Sequence, residues 1–118
     1  MFVVQGNEIM LHRGDTGTIG ITASGYTFGN NDRALFTLKD RNGTLIKQGA
    51  YAMTNNRFEV AFENQDTDSL ESGTYEWDVR YVVNPQYDQV TGAIVNGDAV
   101  ATPMDPSPCV IRRTVGQI

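Results

Sequence analysis

The 118-residue chain predicts an all-β fold, an antiparallel β-sandwich of about seven strands. Three observations carry the prediction. Apolar residues recur at every second position in several runs, and nowhere does a spacing of three and four persist over two helical turns. Turn-forming residues separate these runs at intervals of roughly 8–15 residues, which suits strands packed face to face. A chain of this length makes about one domain, and its 40% hydrophobic content fills a core without a metal or disulfide.

Ile9 and Leu11 have the spacing of a short first strand. In the next, Ile19, Ile21 and Ala23 lie opposite Thr18, Gly20 and Thr22. A polar loop with Gly and Asn follows at residues 25–31. Ala34, Phe36 and Leu38 then alternate with Arg33, Thr37 and Lys39, a pattern that Leu35 breaks. Asp40-Arg41-Asn42-Gly43 separates two strand-like runs and predicts a tight hairpin with positive φ at Asn-Gly. Turn chemistry recurs at Asn55-Asn56 before Phe58, Val60 and Phe62 alternate with Arg57, Glu59 and Glu63. Residues 65–72 suit one helical turn capped by Asp66 or Thr67. The clearest strand sets Tyr75, Trp77, Val79 and Tyr81 against Glu76, Asp78 and Arg80, and residues 109–115 read as the last one.

Residues 84–108 interrupt this regularity and hold all four prolines, Pro85, Pro103, Pro106 and Pro108. Within them, residues 93–100 suit a small extra hairpin about Asn96-Gly97. The segment is either an ornate loop between the last two strands or an arm that contacts a partner. On the second reading Tyr87, Ile94 and Val95 are the candidate contact residues.

Fourteen acidic against nine basic residues give a net charge of −5. This balance argues against nucleic-acid binding and against an anionic membrane surface. No apolar run approaches the roughly 20 residues that span a bilayer. A lone Cys109 cannot form an internal disulfide, which mildly favours a cytosolic history. The opening Met-Phe-Val-Val-Gln-Gly shows neither a basic start nor a long apolar stretch, so no signal peptide is expected.

Residues 68–77 have the form D-x-L-x-x-G-x-Y-x-W, with Asp68, Leu70, Gly73, Tyr75 and Trp77 at the fixed positions. This resembles the turn into strand F of immunoglobulin-like domains, where a corner tyrosine lies two residues before a core cysteine. Tyr75 matches that tyrosine, and Trp77 stands where the cysteine would be. The resemblance implies an Ig-like sandwich whose corner is held by a tyrosine hydroxyl and whose disulfide is replaced by apolar area.

A second resemblance covers roughly residues 8–82. Ile9-Met10-Leu11-His12-Arg13-Gly14-Asp15-Thr16, Ala34-Leu35-Phe36-Thr37-Leu38-Lys39-Asp40, Asp66-Thr67-Asp68-Ser69-Leu70 and Gly73-Thr74-Tyr75-Glu76-Trp77-Asp78-Val79 occur in that order. Together they resemble the small Ig-like domains of tail and baseplate proteins in phages and prophages of Gram-positive bacteria, such as the N-terminal domain of baseplate upper proteins. That resemblance implies a noncatalytic virion protein, assembled in the bacterial cytoplasm. Its partners would be other tail and baseplate subunits or further copies of itself. It carries over no catalytic residue, cofactor or metal. The late segment is longer than the resemblance leads one to expect.

The remaining motifs have ordinary structural explanations. Arg13-Gly14-Asp15 is an adhesion tripeptide by letter, but Gly-Asp before a strand is turn chemistry. Asn42-Gly43-Thr44 fits a glycosylation acceptor, which the expected hairpin equally explains. His12 is the sole histidine, with no nucleophile elbow and no second metal-ligating partner, and reads as a solvent-facing strand residue. Asp66 and Asp68 lack an EF-hand frame. Glu59, Glu63, Glu76 and Asp78 fall on outer strand faces rather than in a site that would raise a general acid's pKa. Cys109 reads as a small buried apolar residue. Tyr26, Phe28, Tyr51 and Tyr87 fall outside the core pattern and support an alternative, a carbohydrate-binding or adhesion module presenting coplanar rings.

Overall fold

A computed structural model describes residues 1–115 of the chain. Almost all of its regular structure is β. Strands β1 (Val3–Gln5), β2 (Glu8–His12) and β3 (Gly17–Thr22) open the chain. β4 (Arg33–Lys39), β5 (Leu45–Ala52) and β6 (Arg57–Phe62) follow, then a single helical turn, α1 (Asn64–Thr67). The eleven-residue β7 (Gly73–Val83) leads to three short strands, β8 (Gln86–Tyr87), β9 (Ile94–Asn96) and β10 (Ala99–Ala101), before β11 (Ser107–Arg112). Six of the seven longer strands fall where the sequence marks a run, and β5 is the partner implied by the turn at residues 40–43. The four extra ones, β1 and β8 to β10, have two or three residues each, too few for alternation to register.

The main sheet runs β1-β2-β11-β7-β4-β5, and β3 pairs with β6 in a separate two-stranded sheet. One pairing departs from the antiparallel expectation: β11 lies parallel to β2, with Cys109 opposite Ile9 and Ile111 opposite Leu11. Hairpin reasoning reaches only strands adjacent in sequence. A parallel pair needs a long crossover, and here nearly the whole chain supplies it.

The two sheets bury their inner faces against each other. Ile9, Leu11, Phe36, Leu38, Trp77, Val79, Cys109 and Ile111 come from the main sheet, and Ile19, Phe58, Val60 and Phe62 from the smaller one. The Trp77 and Phe36 rings stack at 5.6 Å, and Phe36 meets Phe62 edge-on at 6.0 Å across the layers. The charged residues take the other side, with Glu59, Glu63 and Glu76 exposed and Asp78 half-buried.

Local turns refine the sequence reading. In the β4–β5 hairpin only Gly43 has positive φ (84°), so the Asn-Gly pair does not form a turn with two such residues. Gly43 N–H donates to Asp40 O at 3.0 Å, and the Asp40 carboxylate accepts from the N–H groups of Asn42 and Thr44. The register then shifts after Leu38, the bulge expected of a turn closed by one left-handed glycine. The helical turn begins at Asn64, earlier than expected. Asp66 sits inside it and accepts from the Glu63 N–H at 2.8 Å, while the buried Thr67 hydroxyl accepts from Gly14 N–H at 2.9 Å. The last strand ends at Arg112, ahead of the expected limit at 115.

At the turn into β7 the Tyr75 hydroxyl donates to Glu71 O at 2.8 Å, which ties the strand to the chain four residues upstream. Trp77 Nε1–H donates to Asn7 O at 3.1 Å, so the ring both fills the core and holds the β1–β2 turn. Asp68 and Leu70 stand between α1 and β7, with the Leu70 side chain packed on the core. Gly73 takes a φ of 154°. Tyr75→Phe should cost about 1–2 kcal/mol in chemical denaturation, since Glu71 O loses its donor while the ring stays.

Cys109 lies fully buried opposite Tyr75, and burial pushes its thiol up to about 12. The folded chain should therefore resist alkylation at pH 8, with labelling following unfolding. The unfolded thiol ionises first, so its contribution to stability is complete below about 9 and is lost as pH rises towards about 12. Cys109→Ala should remove that part of the alkaline loss, as read from denaturation midpoints against pH.

Candidate functional site

Residues 84–106 form an arm on the outer face of the main sheet. Its base is pinned at the end of β7, where Asn84 turns the chain with a φ of 51°. Asn84 N–H donates to the buried Asp32 carboxylate at 3.0 Å, and the other oxygen of Asp32 accepts from Gly29 N–H at 2.7 Å. Asn84 Nδ2–H reaches the Asp98 carboxylate at 3.0 Å, while Asp98 N–H donates to Val83 O at 2.8 Å. Departure and return of the arm thus share one polar clasp.

The expected hairpin about Asn96-Gly97 is replaced by a different pairing. β9 pairs with β8, and β10 pairs with the end of β7, so the strands on either side of Asn96-Gly97 have separate partners. The actual turn of the arm lies at residues 88–93. Asp88 organises it by accepting from Val90 and Thr91 N–H groups, at 2.7 and 2.9 Å. The bonds from Thr91 and then Val90 hold its carboxyl below the usual range.

β10 and β11 lie along the same edge of β7, interrupted by extra chain. Ala101 faces Tyr81 and Ser107 faces Trp77, so six steps along the arm match four along β7. The excess bulges outward, and Arg80 Nε–H donates to the Thr102 hydroxyl at 3.1 Å beside it. Proline suits this stretch because unpaired backbone there needs no ladder donor.

The arm covers an apolar part of an otherwise polar face. By strand parity Val82 points outward with Arg80 and Asp78, yet only 3% of it is exposed. Gly97 lies directly on it: a Cβ at that position would stand 2.4 Å from Val82 Cγ1 and 2.9 Å from Val83 O. Only glycine allows this approach. Leu35, opposite Arg80, forms the floor of a depression of about 240 Å³ that Ile94, Val95 and Val100 wall. A second recess of about 370 Å³ continues from Leu35 and Arg80 towards Lys39, Glu76 and Asp78.

Ile94 and Val95 therefore share one depression, with Val95 64% exposed. Tyr87 pairs with Ile94 across β8–β9 and is 46% exposed, but it does not line the depression. Leu35, Val82 and Val100 complete the surface and were not singled out from sequence. Leu35 carried a signal, since it broke the alternation of its strand.

The other candidates lie apart. Tyr26 and Phe28 pack at 4.8 Å with planes crossed at 60°, so they offer no coplanar pair, and Tyr51 stacks inward on Phe58. Asp15 accepts from His12 N–H at 3.0 Å, and Gly14 bonds Thr67 and Asn64, so Arg13-Gly14-Asp15 is bound into a turn. Among the described residues no group of three or more His, Cys, Asp or Glu is placed to hold a metal. Among the described residues no helix is long and apolar enough to cross a membrane.

Gly97→Val should displace the arm from Val82. The expected result is faster limited proteolysis within residues 84–106, with the chemical-denaturation midpoint close to that of the parent. A variant as resistant as the parent would contradict the contact. Comparison of the chain with protein-family models, curated proteins and solved structures returned no match, so the surface is read from its own geometry.

Proposed function

We propose that the chain is an Ig-like β-sandwich serving as a noncatalytic assembly module of a phage or prophage tail, of the baseplate type, and that it acts through protein–protein contacts. The arm carries the reading: it holds Val90, Val95, Val100 and Tyr87, 94%, 64%, 43% and 46% exposed, against a pinned sheet face. Exposed apolar groups on a supported surface are the usual makings of a contact site. The β3–β6 pair facing the main sheet and the Tyr75 hydroxyl bond support the Ig-like assignment. The tail assignment rests on the sequence resemblance at residues 8–82.

In this role the frame fixes the position of the arm, and the arm supplies apolar area with Arg80, Lys39, Glu76 and Asp78 as a polar rim. Burial of a few such side chains at the centre of an interface dominates its affinity. The partners are neighbouring tail or baseplate subunits, or further copies of the chain, with no role for nucleic acid or membrane.

Val95→Asp combined with Ile94→Ser should weaken association with co-expressed tail subunits by about tenfold or more, because it puts a charge and a hydroxyl where apolar area is buried. Co-purification and light scattering across a concentration series read the loss and any self-association. Unchanged assembly in a folded variant would overturn the reading. Saturable binding on a glycan array would instead favour the carbohydrate-binding alternative.

A further inference from the structure

The chain contains two Asn-Gly pairs, Asn42-Gly43 and Asn96-Gly97, and both asparagines are exposed. They differ in what the glycine N–H does. Gly43 N–H is held in the β4–β5 turn by Asp40 O at 3.0 Å. Gly97 N–H is instead directed onto the preceding side chain, donating to Asn96 Oδ1 at 2.8 Å. That bond brings the Gly97 nitrogen beside the Asn96 carboxamide carbon, and glycine adds no side chain to hinder closer approach.

We propose that Asn96 is a site of spontaneous deamidation, a covalent modification by which the folded arm changes its own charge and backbone with age. Solvent base removes the Gly97 amide proton, and the nitrogen forms a bond to Asn96 Cγ. The Cγ–Nδ2 bond breaks, and Nδ2 leaves as ammonia after taking a proton from water. The resulting succinimide adds one water. Opening at Cγ leaves an ordinary aspartate in place of Asn96, and opening at the main-chain carbonyl leaves isoaspartate. One water is consumed and one ammonia released, with no change of oxidation state. Proximity of this kind is what turns a slow reaction into a local one.

The consequences fall on the arm. Either product places a new carboxylate two residues from Asp98, whose own carboxylate holds Asn84. Isoaspartate also inserts a methylene into the main chain next to Gly97, where contact with Val82 leaves no room for a Cβ. Modification would therefore loosen the arm while the two-sheet core stays intact. The proposal needs no partner and does not depend on the assembly role.

The experiment is peptide mapping by mass spectrometry of the native chain, incubated folded and in denaturant at mildly alkaline pH. Exchange of the side-chain amide for a carboxylate is quantified at both asparagines. In the folded chain Asn96 should convert about tenfold or more faster than Asn42, since only one glycine nitrogen is positioned for attack. Denaturant should bring the two rates together, and Asn96→Gln should abolish the fast reaction. A smaller or inverted ratio in the folded chain, or a preference for Asn96 that persists in denaturant, would overturn the proposal.

Discussion

Trp77 is the contact on which the rest of the structure depends. Its ring stacks on Phe36 of the neighbouring strand, and Phe36 in turn meets Phe62 of the opposing sheet. Its indole N–H reaches Asn7 O, so a residue near the middle of β7 also fixes the β1–β2 turn. Each fully buried side chain of this size contributes about 2–3 kcal/mol by removal from water, and no disulfide shares the work. With Trp77 turned inward, strand alternation fixes the rest of β7. Tyr75, Val79 and Tyr81 fill the core, and Glu76, Asp78, Arg80 and Val82 face out.

The outward Val82 links core to surface. An apolar side chain on a polar face favours a cover, and Gly97 provides it at the one distance a glycine permits. The clasp among Asp32, Asn84 and Asp98 then ties the start of the arm to the residue after Gly97. The arrangement gives a firm attachment and an exposed tip. The residues proposed for contact are thus presented without being needed to hold the two sheets together.

Much of this was legible in the sequence for a physical reason. A half-buried strand must alternate, and Tyr75 to Tyr81 or Phe58 to Phe62 leave little choice of face. Pairing was less legible. The parallel contact of β2 with β11 joins residues from opposite ends of the chain, which no local pattern encodes. The arm was recognisable as unusual from its length and prolines, but its internal pairing was misread, because Asn-Gly has the chemistry of a turn wherever it occurs. There it serves close packing on Val82 instead. Leu35 was the visible clue to the outer surface, and Val82 was hidden within the apolar run Tyr81-Val82-Val83. The corner at Tyr75 was legible as a motif, whereas the acceptor of its hydroxyl became visible only in the fold.

The most direct measurement of the proposed contact is hydroxyl-radical footprinting of the chain free and mixed with candidate tail subunits. Tyr87, Val95 and Val100 should lose reactivity on association, while Tyr26, in the loop between β3 and β4, keeps its own. Protection of Tyr26 with an unprotected arm would contradict the account and move the contact surface away from the arm.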